Sequence, residues 1–166
     1  MTPRSLGVGV ALAVFLADQG VKLAVLARAA AAAVPLGPFL DLVLRWNSGI
    51  SFSLFTQDTG AGRAALLALT LAAVVLLGWW LASSRSFLSA AGLGAIIGGA
   101  LGNAADRLSH GAVVDYLDLH ALGRHFFVFN LADAAINVGV ALLILDLAFG
   151  PHVGDDRSLE RKRSPS

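Results

Sequence analysis

The sequence predicts an all-α membrane fold: four transmembrane helices carrying a small extracytoplasmic β-rich platform and a short surface helix or loop. Apolar residues make up 57% of the 166-residue chain and charged ones only 14%, well outside the balance of a water-soluble domain. Four apolar stretches reach spanning length. The two longer segments joining them are polar, and one alternates as a strand does. The length suits a single domain over residues 1–150, with 151–166 a polar, charged and disordered cytoplasmic tail.

The first span, about 6–27, follows Arg4 and is interrupted by Asp18, Gln19 and Lys22. A cleavable signal peptide competes for this segment, because a basic start, an apolar run to Ala17 and small residues from Ala29 to Ala31 fit one loosely. The polar trio opposes that reading. Asp18 and Lys22 stand four apart on one helix face, so either they pair inside the bundle or Lys22 snorkels towards the headgroups.

Between Arg28 and Arg63 lies a loop with Pro35, Gly37 and Pro38. Within it Asp41 to Asn47 reads as a short strand, and Ile50 to Phe55 as a second strand or an amphipathic surface piece. Trp46 and the phenylalanines suit an interfacial aromatic belt. Residues 64–82 carry no charge and, at about 1.5 Å per residue, cross a hydrocarbon core of roughly 30 Å. A tight turn from Ser83 to Ser86 holds Arg85, and 87–105, the third span, is again uncharged.

Gly94, Gly98 and Gly102 recur at every fourth position of that third span, making a smooth face for close helix contact. That face is open to packing within the chain or between chains; a monomer is expected. Asn103, Asp106 and Arg107 finish the helix as a polar cluster. The fourth span, 131–149, carries Asp133 in its first turn and Asp146 near its far end, where the interface rather than a partner is expected.

The chain has no cysteine, which excludes disulfides, thiolate metal sites, iron–sulfur clusters and cysteine nucleophiles. Its formal net charge is +1, and it has no extended basic patch interleaved with aromatics, so nucleic acid is not an expected partner. Arg4, Arg85, Arg157, Arg161, Lys162 and Arg163 fall on one side of a four-span arrangement, which the positive-inside rule makes the cytoplasm. Both termini are then inside and both long loops outside.

The stretch from Val113 to Asp133 sits between two spans, and its Asp115 and Asp133 are equally far from Arg124, beside the flexible Gly123. A fold-back there sets two carboxylates opposite each other. Such a pair tends to hold one proton between its members, leaving one as base and the other as acid, the chemistry of an aspartic peptidase. Solvated loop aspartates are the plain alternative.

DQGVK at 18–22, NSGISFSLF at 47–55, GGALGNAADRL at 98–108, VVDY at 113–116 and FNLADAAINVG at 129–139 resemble, in order, the signature blocks of the lipoprotein signal peptidase, or signal peptidase II, family. The resemblance covers all four spans and both outer loops. It implies a multi-pass aspartic endopeptidase of the bacterial cytoplasmic membrane. Such an enzyme needs no cofactor or metal and removes the signal peptide from diacylglyceryl-modified prolipoproteins just before the lipidated cysteine. It further implies Asp115 and Asp133 as the catalytic pair, with Asp18, Lys22, Asn47, Gly49, Asn103, Asp106, Arg107 and Asn130 shaping the site or contacting substrate among membrane lipids. Ile50 and Ser51 stand where alanines are more usual in that family.

Three rival readings remain on the residues. A Ser–Lys dyad would pair Lys22 with Ser48, Ser51 or Ser53; His110, His120 and His125 near Asp115 and Asp118 could serve as metal ligands, but no helical HExxH pattern occurs and solvated loop histidines are the expected reading. A small transporter or proton relay using Asp18, Lys22 and the outer aspartates is the non-enzymatic alternative.

Overall fold

The computed structural model describes residues 1–28, 33–48 and 60–149. Four helices, α1 (Pro3–Arg28), α2 (Gly60–Ser83), α3 (Phe87–His110) and α4 (Leu131–Phe149), are long and apolar enough to cross a membrane. They bracket four strands, β1 (Val34–Pro35), β2 (Leu40–Asn47), β3 (Val113–Ala121) and β4 (Arg124–Phe129), forming one antiparallel sheet in sequence order. The expected second strand at Ile50 to Phe55, Gly49 and the tail lie outside the described residues.

All four helices include the expected spans, and three exceed them. The largest difference is in α3, which runs to His110 rather than stopping at residue 105. Asn103, Asp106 and Arg107 do lie in its last turns, and the helix continues past them to His110. Burial explains this: Asp106 is 3% exposed and paired, so the polar residues mark an interior and not a boundary. The true stop is Gly111, whose φ of +79° provides a left-handed cap with its N–H donated to the Arg107 carbonyl.

α3 is the central helix and small residues make it so. A Cβ on Gly94 would collide with the Gly7 carbonyl, one on Gly98 would lie 2.5 Å from the Ala11 carbonyl, and one on Gly102 2.5 Å from Asp18 Oδ2. The smooth face is thus filled within the chain, by α1. The order of contacts, 7 with 94 and 11 with 98, makes α1 and α3 parallel. A second face, through Gly92 and Gly99, meets Gly139 and Ala132 of α4 in the reverse order, so α4 runs antiparallel.

With the short turn between α2 and α3, the helices alternate in direction, and the sheet closes one end of the bundle. Ala11, Leu81, Ala90, Leu93 and Ile97 form the buried apolar centre. Leu16, Leu69, Val75, Trp79 and Leu147, each at least 66% exposed, face outward as lipid-facing side chains do. Trp46 at 51% and Phe126 at 61% exposure lie on the sheet end, where an interfacial belt belongs.

The opposite end is fastened by a contact not expected from sequence. Asp146 Oδ1 accepts from Ser86 Oγ at 2.6 Å, and its other oxygen accepts from Ser89 Oγ. Ser86 is also the N-cap of α3, its Oγ accepting from the N–H of Leu88 and Ser89. Asp146 therefore ties α4 to the start of α3 rather than reaching only the interface. Ser86→Ala is expected to cost about 1–2 kcal/mol, read as a lower thermal midpoint in detergent micelles.

Candidate active site

The site is assembled at the sheet end from α1, α3, β2, β3 and the start of α4. Its organising residue is Asn130, fully buried between β4 and α4. As N-cap of α4 it accepts at Oδ1 from the N–H of Asp133 (2.9 Å), while Asp133 Oδ2 accepts from the N–H of Asn130 (3.3 Å). This reciprocal arrangement is a capping box written locally as Asn-Leu-Ala-Asp. The same Asn130 then donates through Nδ2 to Asp115 Oδ1 at 2.7 Å. One residue thereby holds both carboxylates.

The hairpin does not align the two aspartates as a simple fold-back would. It reverses at Leu122 and Gly123, whose φ values of +52° and +74° suit a two-residue turn, and the strands are paired as Leu117 with Phe129. In that register Asp115 lies beyond the end of β4. Asp133 is joined to it through Asn130, because α4 starts immediately after the strand.

The bulge in β2 between Leu42 and Arg45 matters as well. It shifts the pairing so that Asn47 is opposite Val113 and Arg45 opposite Asp115. Cross-strand partners share a face, so the inserted residue puts Asn47 and not Trp46 beside Asp115. Asn47 Nδ2 donates to Asp115 Oδ2 at 2.8 Å.

Three elements satisfy the leading N–H groups of α4, which a helix start leaves open. Leu131 donates to Tyr116 Oη (3.1 Å), Ala132 to Asp18 Oδ1 (3.0 Å) and Asp133 to Asn130. β3, α1 and the cap thus clamp the turn that carries Asp133. Tyr116→Phe, which strips one acceptor, is expected to lower stability by about 1–2 kcal/mol and to speed hydrogen exchange at the Leu131 amide.

Beneath the pair lies a buried ionic cluster. Lys22, 2% exposed, makes ion pairs of 2.8 Å to both Asp18 Oδ2 and Asp106 Oδ2, and donates to Asn103 Oδ1 at 3.1 Å. It does not snorkel, because two carboxylates meet its ammonium inside the bundle. Asp106 Oδ2 also accepts from the N–H of Val114, tying α3 to β3. Asn103 Nδ2 donates to Asp133 Oδ1 at 2.8 Å. Arg107 donates through Nη1 to the Asn103 carbonyl (3.3 Å) and interacts electrostatically with Asp133, Asp106 and Asp115. Its Nε is buried without a partner among the described residues.

Every expected site residue within the described part of the chain joins this network; Gly49 falls outside it. Two participants went unassigned from sequence. Gln19 donates to Asp106 Oδ1 (3.1 Å), the Gly102 carbonyl (3.2 Å) and Asp18 Oδ2 (3.3 Å). Tyr116 was visible only as the neighbour of Asp115. The capping box was a legible signal for the link from Asn130 to Asp133.

His110, His120 and His125 lie apart from this network. His120 is 3.1 Å from Asp41, and His125 Nδ1 is 2.7 Å from Asp118. His110 packs against Trp46.

Burial lifts Asp115 above the ordinary carboxylate range; repulsion from Asp133 adds to this, and the Asn47 and Asn130 hydrogen bonds with the Lys22 charge oppose it. Burial likewise pushes the Tyr116 phenol up to about 12, so it stays protonated across the neutral range. The arrangement can therefore place a proton-holding carboxyl group next to a second, hydrogen-bonded one.

A four-span bundle with two linked carboxylates under a small sheet has the form of a membrane-embedded peptidase. The sequence profile of the family described as Signal peptidase (SPase) II matches residues 10–149, and the chain belongs to that family. It is 44% identical over 158 residues to a lipoprotein signal peptidase of Methylobacterium sp. (strain 4-46), covering 93% of this chain and 96% of that one. It is 49% identical over 149 residues to a lipoprotein signal peptidase of Beijerinckia indica subsp. indica, covering 88% and 89%. Its fold is similar to that of a bacterial membrane enzyme determined by the in meso method at 2.3 Å resolution, with a TM-score of 0.73 and 23% identity over 96% of this chain and 94% of that one.

Proposed function

We propose that this peptidase removes the signal peptide from diacylglyceryl-modified prolipoproteins in the bacterial cytoplasmic membrane, by an aspartic mechanism that cleaves just before the lipidated cysteine. The observation that carries the mechanism is the double attachment of Asn130, side chain to Asp115 and main chain to Asp133.

In this reading one carboxylate takes a proton from a water molecule, whose oxygen attacks the scissile carbonyl carbon. The other carboxyl group holds the carbonyl oxygen by its proton. Collapse of the tetrahedral intermediate breaks the C–N bond, and a proton passes to the leaving amine of the cysteine. Arg107 supplies donors to the substrate main chain. The termini are cytoplasmic and the sheet end extracytoplasmic, where acyl chains enter from lipid and water reaches the amide. The protein acts as a monomer.

A Ser–Lys dyad is disfavoured by the lysine itself: all three N–H bonds of Lys22 are engaged by Asp18, Asp106 and Asn103, leaving no lone pair or free donor for a serine. The experiment is processing of a synthetic precursor in proteoliposomes, with and without its diacylglyceryl group, followed by mass spectrometry of the products. Cleavage of the lipidated form alone, at the bond preceding the cysteine, is the expected result. Equal cleavage of both forms, or another bond, overturns the substrate reading.

A further inference from the structure

We infer that Lys22, which bonds to neither aspartate of the proposed pair, is a positioning residue that fixes which end of the Asn103 amide faces Asp133. The inference rests on the aspartic reading and adds a specific task to a residue so far given only a place in the site.

An asparagine amide presents an acceptor at one end and two donors at the other, and rotating it exchanges them. Asn103 Oδ1 accepts from two donors at once, Lys22 Nζ at 3.1 Å and Asn130 Nδ2 at 3.2 Å. The opposite end, Nδ2, donates to Asp133 Oδ1 at 2.8 Å. A rotated amide would set its NH2 group against an ammonium and another NH2 and turn a carbonyl oxygen towards a carboxylate. Three favourable contacts would become three repulsive ones inside a buried site. Lys22 is itself immobilised, since its two other N–H bonds go to Asp18 and Asp106 across two helices. Orientation thus passes from α1 through Asn103 to α4, and Asp133 Oδ1 always meets an N–H.

The consequence for the reaction is a bias in where the shared proton resides. Asp133 Oδ1 is committed to accepting from the Asn103 amide, so on the α3 side this oxygen always faces a donor and the proton exchanged within the pair is left to the other oxygens. The charged and titratable groups facing the pair are Asp18 and Lys22 from α1, Arg45 opposite Asp115 on β2, Asp106 and Arg107 from α3, and Tyr116 beside Asp115 on β3. Lys22 is the cation linked by a hydrogen-bonded chain through a side-chain amide to Asp133.

The test is the pH dependence of kcat/KM for a lipidated precursor in micelles. Removing Lys22 alone strands two buried carboxylates, so the chief variant is the double substitution Lys22→Met with Asp106→Asn. It keeps the net charge of the Asp18, Lys22 and Asp106 group at −1 and an acceptor for the Val114 N–H. Lys22→Arg, which keeps the charge and the donors, is the conservative partner.

The expected result is an acidic limb moved to higher pH by about one unit in the double variant, with the limb restored in Lys22→Arg. Asp106→Asn alone should leave the limb in place. A uniform loss across the profile with no displacement, in a variant with unchanged helical circular dichroism, overturns the inference and leaves Lys22 purely structural. Activity that persists in Asp133→Asn would instead remove the aspartic reading itself, so the two failures are distinguishable.

Discussion

Asp133→Asn and Asp115→Asn are each expected to lower precursor processing by about 10³-fold, the size of effect that positioned acid–base groups supply, while the protein remains folded. The measurement is a gel shift of the lipidated precursor over time, with circular dichroism and thermal midpoint alongside. Stability separates the two variants. The folded-state pKa of Asp115 is raised, chiefly by burial. Its contribution to stability is therefore complete below the ordinary carboxylate value and is lost as pH rises through the folded value.

Above the ordinary carboxylate range this contribution diminishes, and Asp115→Asn, which does not titrate, escapes that loss. Its thermal midpoint should equal or exceed that of the parent at pH 7, with the advantage vanishing below about pH 4. Asp133→Asn instead weakens the capping box, because one of the acceptors towards Asn103 Nδ2 and the Asn130 N–H becomes a donor. An inactive Asp115→Asn with an undiminished midpoint would separate chemistry from folding.

How much of this was readable beforehand depended on the range of the contact. The spans followed from local composition, since an uncharged run of spanning length has few alternatives. The end of α3 did not, because hydropathy treats Asp106 and Arg107 as a boundary although both are in the helix, Asp106 buried and paired. The four-residue spacing of Asp18 and Lys22 correctly implied one face, and the pair is closed at 2.8 Å. That Asp18 also caps the N–H of Ala132, more than a hundred positions away, depends on helices meeting in space and leaves no local trace. The same holds for Asp146 and Ser86 at the other end. Symmetry about Arg124 singled out two carboxylates that Asn130 does link, but by an incomplete route: the turn lies at Leu122 and Gly123, and the helix cap, not strand register, makes the link.

Gly99→Ala is expected to damage both stability and activity through a single methyl group. A Cβ at this position would lie 2.5 Å from the Ala132 carbonyl oxygen and 2.9 Å from Ile136 Cγ1. The first contact is with backbone, so no side-chain rotation relieves it; α4 must withdraw by about 1 Å to reach ordinary van der Waals separation. Asp133 is the next residue along α4 and moves with it. A displacement of about 1 Å at reacting groups costs about 10²-fold in rate, and overpacking of this kind costs about 1–3 kcal/mol in stability.

Gly9→Ala provides the contrast, since a Cβ at that position of α1 meets nothing within 4 Å. Its rate should be unchanged, and the helix gains up to about 1 kcal/mol from the lower conformational freedom of alanine. The two substitutions are chemically identical. A loss confined to Gly99→Ala would show that the distance between two helix backbones, set by the absence of one carbon atom, controls the geometry of the carboxylate pair. Equal rates in both would mean that α4 shifts without carrying Asp133 out of register.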